Sequence, residues 1–326
     1  MGAFLFIFVL MKSHFSIIIP VFNRPSEIDE LMHSLSVQSF KNDFDVVIVE
    51  DGSTDTCESV IEKYQDTLSI NYFFKENSGA GLSRNYGMER ASGTYFIILD
   101  SDVILPSHYL EEVENALLHN FTDAYGGADA AHASFTAMQK AINYSMTSVL
   151  TTGGIRGKKH SIEKFQPRSF NMGISKEAFS KTNGYSEMKY GEDIDLTFRL
   201  WEKGYKTQFI EKAYVYHKRR STLSEFFNQT FNFGTARPIL NRKYPSTSKL
   251  TYWFPSLFII GLDISIILAI FGYTLFIKVY FIYFMILLID SFFRNGLKVA
   301  FLSIITSFTQ FLGYGLGFLK SLFSSI

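Results

Sequence analysis

The chain has 326 residues, 47% of them apolar and 17% aromatic, and its 31 basic residues balance its 31 acidic ones. A zero formal charge excludes the broad cationic field that nucleic acid would require, so no nucleic-acid partner is expected. The average hides an asymmetry. From Thr251 to Ile326 the charged residues are only Asp263, Lys278, Asp290, Arg294, Lys298 and Lys320, which implies water around the first part of the chain and lipid around the second. The single cysteine, Cys57, rules out a disulfide within the chain and fits a reducing compartment.

Residues 1–12 form an apolar N-terminal extension, Met1-Gly2-Ala3-Phe4 onward. It is too short to cross a bilayer and lacks the basic start and small-residue cleavage site of a signal peptide. Met11-Lys12 is the expected true beginning, because a strand pattern follows almost at once.

Phe15 to Pro20 is a continuous apolar run closed by proline, the pattern of a buried parallel strand. Ile28, Leu31, Met32 and Leu35 mark one face of a helix. Asp45 to Val49 predicts a second strand, running into Glu50-Asp51-Gly52-Ser53, and a helix with Val60, Ile61 and Tyr64 inward follows. Ile70 to Phe74 predicts a third strand, Gly79 to Arg90 a helix entered through a Gly-rich turn, and Tyr95 to Leu99 a fourth strand ending at Asp100-Ser101-Asp102. Strands alternating with helices at this spacing predict a mostly parallel, doubly wound α/β sheet. Such sheets bind ligands at the carboxyl ends of their strands, where these polar clusters fall.

From about Phe121 to Leu250 the pattern loosens. It holds a Gly-rich, basic loop from Gly153 to Arg168, then Phe170-Asn171-Met172-Gly173, then Gly191-Glu192-Asp193-Ile194-Asp195. The expected division is a catalytic domain over 13–250 and a membrane region over 251–326. Three apolar stretches, roughly 254–274, 276–293 and 299–319, predict about three transmembrane helices; a re-entrant hairpin plus one span is the alternative, because the second stretch is short. Arg242, Lys243 and Lys249 before the first stretch, with Arg294 and Lys298 after the second, place the catalytic domain on the cytoplasmic face of the inner membrane by the positive-inside rule.

The polar clusters have both structural and chemical readings. Asp100 and Asp102, one residue apart at a strand end, offer hard oxygen ligands suited to Mg or Mn, although an isolated Asp-x-Asp is common in loops. Asp51 can accept a hydrogen bond from a base or ribose, or form an Asx turn. Arg24 is a site charge or a surface one. Gly79-Ala80-Gly81-Leu82-Ser83-Arg84-Asn85 opens a helix whose N–H groups attract anions.

In chain order, Ile17-Ile18-Ile19-Pro20-Val21-Phe22-Asn23, Glu50-Asp51-Gly52-Ser53-Thr54-Asp55, Gly79 to Asn85, and Asp100-Ser101-Asp102 each sit at a strand end. Together they resemble family 2 of the glycosyltransferases, with the glycosyltransferase-A fold, over about residues 15–220. Gly191-Glu192-Asp193 resembles the Glu-Asp motif that carries that family's catalytic base. The resemblance implies a donor site of Pro20, Phe22, Asn23, Arg24, Asp51, Gly79, Arg84, Asp100 and Ser101, with Asp51 on the nucleotide base and Asp100 on the ribose. It implies that Asp102, with Asp100 and His217, ligates Mn or Mg at the diphosphate, and that Asp193 takes the acceptor's proton. The expected partners are a nucleotide-diphosphate sugar, with a UDP-sugar first, and a lipid-linked or other saccharide acceptor. The expected reaction is inverting, since one base and one stabilised leaving group need no covalent nucleophile.

The Q-x-x-R-W motif of processive synthases is absent; the corresponding region reads Gln229-Thr230-Phe231-Asn232-Phe233. Single addition is therefore expected. Leu223, Phe226, Phe227, Thr230 and Phe231 predict an apolar helical stripe, either on the membrane surface or packed in the protein. Two rival readings are a nucleotide-sugar-forming nucleotidyltransferase, which lacks support in Val21-Phe22-Asn23-Arg24-Pro25, and an inactive membrane scaffold, which Asp100, Asp102 and Asp193 disfavour.

Overall fold

A computed structural model describes residues 14–152 and 165–324. The apolar extension at 1–12 and most of the loop from Gly153 to Arg168 lie outside the described residues. The first apolar run becomes β1 (Phe15–Val21), wholly buried, and Pro25 opens α1 (Pro25–Ser36), which buries Ile28, Leu31, Met32 and Leu35. Proline suits that position because its missing N–H has no intrahelical partner there. β2 (Phe44–Asp51), α2 (Glu58–Ile61), β3 (Ser69–Lys75), α3 (Ala80–Arg90), β4 (Tyr95–Leu99) and β5 (Val103–Ile104) follow. Next come α4 (Tyr109–His119), β6 (Ala124–Ala130), α5 (Ala137–Thr147), α6 (Val149–Thr152), β7 (Asn171–Ser175), α7 (Lys176–Thr182), α8 (Glu192–Glu202) and β8 (Thr207–His217). The chain ends with α9 (Leu223–Lys243), α10 (Phe254–Ile270), α11 (Leu275–Asn295) and α12 (Leu297–Phe323).

The strands form one sheet in the order β3-β2-β1-β4-β7-β6-β8-β5. β3, β2, β1 and β4 run parallel to one another, β7 is antiparallel to both β4 and β6, and β6 pairs parallel with β8. Both faces are covered, which is why the first strands read as unbroken apolar runs. Ile17, Ile19, Val46 and Ile48 pack with Leu31 of α1 and Tyr109 of α4. Ile18, Val47 and Val49 face the other way, toward Met88 of α3 and Leu196 and Leu200 of α8.

The antiparallel strand β7 is tied in by Asn171. Its side-chain oxygen accepts from Tyr109 Oη at 2.6 Å, and its amide donates to Ala213 O at 2.8 Å and Ala128 O at 3.2 Å. A side chain at Gly173 would strike the Tyr125 and Tyr95 rings, so the Asn-x-Gly pattern is set by packing across the strand.

Contacts divide the chain into two compact units, Met1–Ala130 with Lys159–His217, and Ala131–Lys158 with Lys218–Ile326. The division thus runs at 130 and 217, and it groups α5 and α9, which the sequence reading assigned to a domain ending at 250, with the apolar helices. Within the second unit α5 and α9 each begin in a capping box, Thr136 with Gln139 and Thr222 with Glu225. Phe226 of the α9 stripe is fully buried beside Ile142 and Met146 of α5. Along α9 and α12 the backbones meet: a Cβ at Gly313 would strike Thr230 Oγ1, one at Gly317 the Phe231 carbonyl, and one at Gly234 the Tyr314 carbonyl. Small residues permit such approach between helices. Among the described residues, three helices, Leu250–Ile270, Leu275–Asn295 and Leu297–Phe323, are long and apolar enough to cross a membrane. The second is an unbroken helix that includes Asp290, whose carboxylate accepts from Tyr144 Oη at 2.7 Å and pairs with Arg294 at 2.9 Å.

Candidate active site

The ends of β1, β2 and β4 bring the predicted polar clusters to one edge of the sheet. β1 carries Pro20 buried in the strand and leaves Phe22 half exposed beyond it. Asn23 follows in the left-handed region, at φ 53°. Its side-chain oxygen accepts from the Thr54 and Asp55 N–H groups at 2.8 and 3.0 Å, and its own N–H donates to Ser53 Oγ at 2.8 Å. Asparagine tolerates this conformation because its short polar side chain bonds locally. Here those bonds join the loop after β1 to the loop after β2. Beneath them Glu50 is fully buried, bonded to Ser53 Oγ and accepting from the Cys57 N–H at 2.9 Å and the Cys57 thiol at 3.0 Å. Burial, with the Glu50 charge beside it, pushes the Cys57 thiol up, so it is an inert packed thiol.

Asp51 is 3% exposed. Its carboxylate pairs with Lys75 and accepts from the N–H groups of Ser78 and Gly79 at 2.8 and 2.9 Å. Burial alone would raise its pKa; the Lys75 ammonium and the Ser78 N–H overcome that and hold the carboxyl below its ordinary value. Asp51 therefore shapes the turn that leads through Gly79, at φ 91°, into α3.

From α3, Arg84 reaches two carboxylates: Asp100 at 2.6 Å and Glu192 at 3.1 Å. Its side chain is 4% exposed, and its guanidinium lies 5.2 Å from the centre of the Tyr185 ring. Arg24 pairs with Asp102 at 2.7 Å, and His217 Nε2 lies 3.2 Å from the other Asp102 oxygen. The His217 ring stacks on Phe170 with centroids 4.7 Å apart. Ser101 is buried between the two acids. One ligand atom from each of Asp100, Asp102 and His217 lies within 4.8 Å of the others. Two carboxylate oxygens and an imidazole nitrogen at this spacing fit a Mn or Mg ion that completes its shell with phosphate oxygens or water.

Glu192 and Asp193 open α8 after Gly191, which is left-handed at φ 80°. Asp193 lies 3.6 Å from Arg168. Burial, reinforced by the neighbouring Asp193 and opposed by Arg84, pushes the Glu192 carboxyl up to about 7. Arg84 thus joins the acidic pair after β4 to the residue just before Asp193, a link over 108 positions that spacing does not announce. Lys75 and Arg168 also belong to this neighbourhood and were not singled out by motif; Arg168 had shown only as the end of a basic loop. Asp195, two residues beyond Asp193, is fully buried and pairs with Arg199 at 2.9 Å.

A sheet of this topology with paired acids at a strand end defines the glycosyltransferase-A fold. Residues 16–182 match the model of the family described as Glycosyl transferase family 2, so the chain belongs to that family. It is 31% identical over 203 residues to an uncharacterized glycosyltransferase of Rickettsia conorii, covering 57% of this chain and 31% of that one; the match thus spans about a third of that relative's length. It is 27% identical over 232 residues to the succinoglycan biosynthesis protein ExoA of Rhizobium meliloti, covering 68% of each. Among solved structures, a mannosyltransferase from Pyrobaculum calidifontis, in complex with GDP-Man and Mn2+, superposes with a TM-score of 0.60 at 15% identity, covering 99% of this chain and 95% of that one.

Proposed function

We propose that the protein is a membrane-associated, inverting glycosyltransferase that moves one sugar at a time from a nucleotide-diphosphate donor to a hydroxyl acceptor. The observation that carries this reading is the Arg84 bridge. One buried guanidinium holds Asp100 and Glu192, so an acid suited to a cation and the residue next to the base Asp193 belong to one preorganised cluster. Asp193 acts as the general base on the acceptor hydroxyl, with Arg168 beside it to limit its mobility. Asp100, Asp102 and His217 would hold Mn or Mg, which when bound supplies charge neutralisation of the departing diphosphate. Asn23, Arg24, Asp51, Gly79 and Arg84 shape the donor side: Asp51 and Asn23 by fixing loops, Arg24 by orienting Asp102. Phe22, exposed next to them, offers an apolar surface to the donor's base.

The GDP-Man and Mn2+ bound by the mannosyltransferase neighbour support a nucleotide-sugar donor and a divalent ion; a UDP-sugar is the first donor to test. The name of the Rhizobium relative supports a role in surface-polysaccharide synthesis, and the apolar helices favour a lipid-linked saccharide as acceptor, at the cytoplasmic face of the inner membrane. Asp193→Asn should bind donor and Mn normally while transfer falls by about 10²–10⁴, the usual loss for a general base. Asp102→Ala should lose Mn-dependent donor binding. Transfer by Asp193→Asn near the wild-type rate would remove that residue from the mechanism. Products lengthened by many sugars would refute single addition.

A further inference from the structure

We propose that the protein crosses the membrane twice, and that α12, although long and apolar enough to be a third span, lies along the membrane face on which α10 begins and α11 ends. The inference rests on the membrane reading above and concerns the second unit alone.

α10 and α11 form an antiparallel hairpin. Tyr280 Oη donates to Phe258 O at 3.0 Å and touches Gly261, and the Phe258 and Tyr283 rings lie 5.5 Å apart. The connecting turn holds Gly272 at φ 91°. The start of α10 and the end of α11 are therefore at the same membrane face, the mouth of the hairpin. Phe258 lies about one helical turn inside the start of α10, roughly 6 Å, with the turn at Gly272 about 21 Å further on; Tyr283, packed at the same level, lies about 18 Å before the end of α11 at 1.5 Å per residue, so α11 projects past the start of α10.

A third span would leave the mouth near its first residue and reach the level of Gly272 by its last. The contacts of α12 follow a different path. Near its start, Ser303 Oγ bonds Ser291 Oγ at 2.8 Å, on the last turns of α11, which project past the start of α10. Phe311 then touches Phe254, Phe258 and Tyr283, with centroids at 5.6, 4.7 and 6.4 Å, which is its deepest point. Four residues later Gly315 O accepts from Ser256 Oγ at 3.1 Å, and Phe318 meets Trp253 at 5.0 Å, back at the mouth. At its end Ser321 O accepts from Arg242, in the basic segment that precedes α10, at 3.4 Å. Measured from the start of α10, α12 reaches about one turn inward, to Phe258, and then returns to Trp253. The charges agree: Arg294 and Lys298 flank its start, and Arg242, Lys243 and Lys320 its end, so neither end is free of cations.

The helix has the surface such a position requires. Its small and hydroxyl residues are turned inward, where Ser145 of α5 bonds Thr306 and Ser307 at 2.6 and 3.0 Å and α9 rides on Gly313 and Gly317. Phe301, Ile305, Leu316 and Phe323 form a single exposed apolar stripe. Its occupant is the hydrocarbon of one leaflet, continuous with the lipid around the exposed Ile264, Ile267, Ile282 and Ile286 of the hairpin.

Cysteine labelling of the full chain in sealed vesicles tests the assignment. Cys57 is buried, so the unmodified protein serves as the blank. Tyr273→Cys, Asn295→Cys and Ser324→Cys each carry one exposed thiol for a membrane-impermeant maleimide, and a protease-cleavable tag after Ile326 gives a second readout of the C-terminus. The expected result is that positions 324 and 295 react from the same face and position 273 from the opposite one, with the tag cleaved from the face of 295. Position 324 reacting with 273, opposite 295, would overturn the placement of α12 and leave the hairpin intact. Positions 273 and 295 reacting from one face would show that the hairpin does not cross, and the membrane reading beneath the proposal would fail with it.

Discussion

Replacing Arg84 by leucine tests whether the cluster is held as described. The guanidinium is 4% exposed and serves two carboxylates, Asp100 at 30% and Glu192 at 15% exposure. Removing one partner of a buried ion pair costs about 3–5 kcal/mol, because the surviving charge stays desolvated. Two features place the cost at the low end, about 3 kcal/mol: Asp100 keeps access to water, and Glu192 escapes by taking a proton. In a unit of this size about 3 kcal/mol lowers the melting temperature by roughly 6–12 °C. The assay is thermal unfolding of the full chain in detergent at pH 8, where wild-type Glu192 is ionised. At pH 6 the penalty should shrink, since Glu192 is then largely neutral with or without Arg84. Adding Glu192→Gln to Arg84→Leu should recover part of the loss at pH 8, as expected of residues that share one network. A shift below about 2 °C for Arg84→Leu, or a double variant no more stable than the single, would refute the reasoning.

Glu192→Gln alone should alter the pH dependence of stability. The raised carboxyl, about 7 when folded against an ordinary 4.5, keeps its proton in the folded state after the unfolded chain has lost it, so wild-type stability falls as pH rises through that window; melting curves of the variant over the same window should be flatter. Asn23→Gly keeps the left-handed backbone but deletes the acceptor for Thr54 and Asp55, costing about 1 kcal/mol and speeding hydrogen exchange at those two amides, while Asn23→Ala adds roughly 1–2 kcal/mol of backbone strain. Gly317→Ala should destabilise the helical unit by about 1–3 kcal/mol, because its methyl meets the Phe231 carbonyl; the exposed Leu316→Ala should leave the melting temperature within a degree or so, and equal losses at both positions would contradict the close packing.

Of the four parallel strands, β1, β2 and β4 were legible as short, mainly apolar runs closed by Pro or acidic residues, and Tyr95–Leu99 was read to the residue; β3 showed through its aromatic residues, although Asn71 interrupts it. The direction of β7 was not legible, since Asn171-Met172-Gly173 carries its meaning in partners far along the chain, Tyr109, Ala128 and Ala213. Asp100 and Asp102 were readable at a strand end, whereas the grouping of His217 with them came from the family resemblance. The inward turn of Asp51 was not readable, because two of its partners, Lys75 at the end of β3 and Ser78 beyond it, belong to no motif, and Gly79 had been read only as the entry to a helix. The apolar tail shows how far hydropathy reaches. It finds helices that prefer lipid, but direction and depth depend on contacts such as Trp253 with Phe318, which no window of mean hydropathy contains.

The Asn23 clasp has a kinetic consequence. Because one side chain replaces the backbone partners that Thr54 and Asp55 lack, the loops after β1 and β2 open together or not at all. Glu50 anchors the same piece from below through Ser53 and Cys57. A ligand arriving at this edge therefore meets a surface whose ordering entropy was lost during folding. Its capture should be governed by encounter and by slow escape, with fast association and little dependence on loop closure. Any gating at the site must then come from elsewhere than this edge, because the turn after β3 is tied down as well, by Lys75, Asn77, Ser78 and Gly79, all bonded to Asp51.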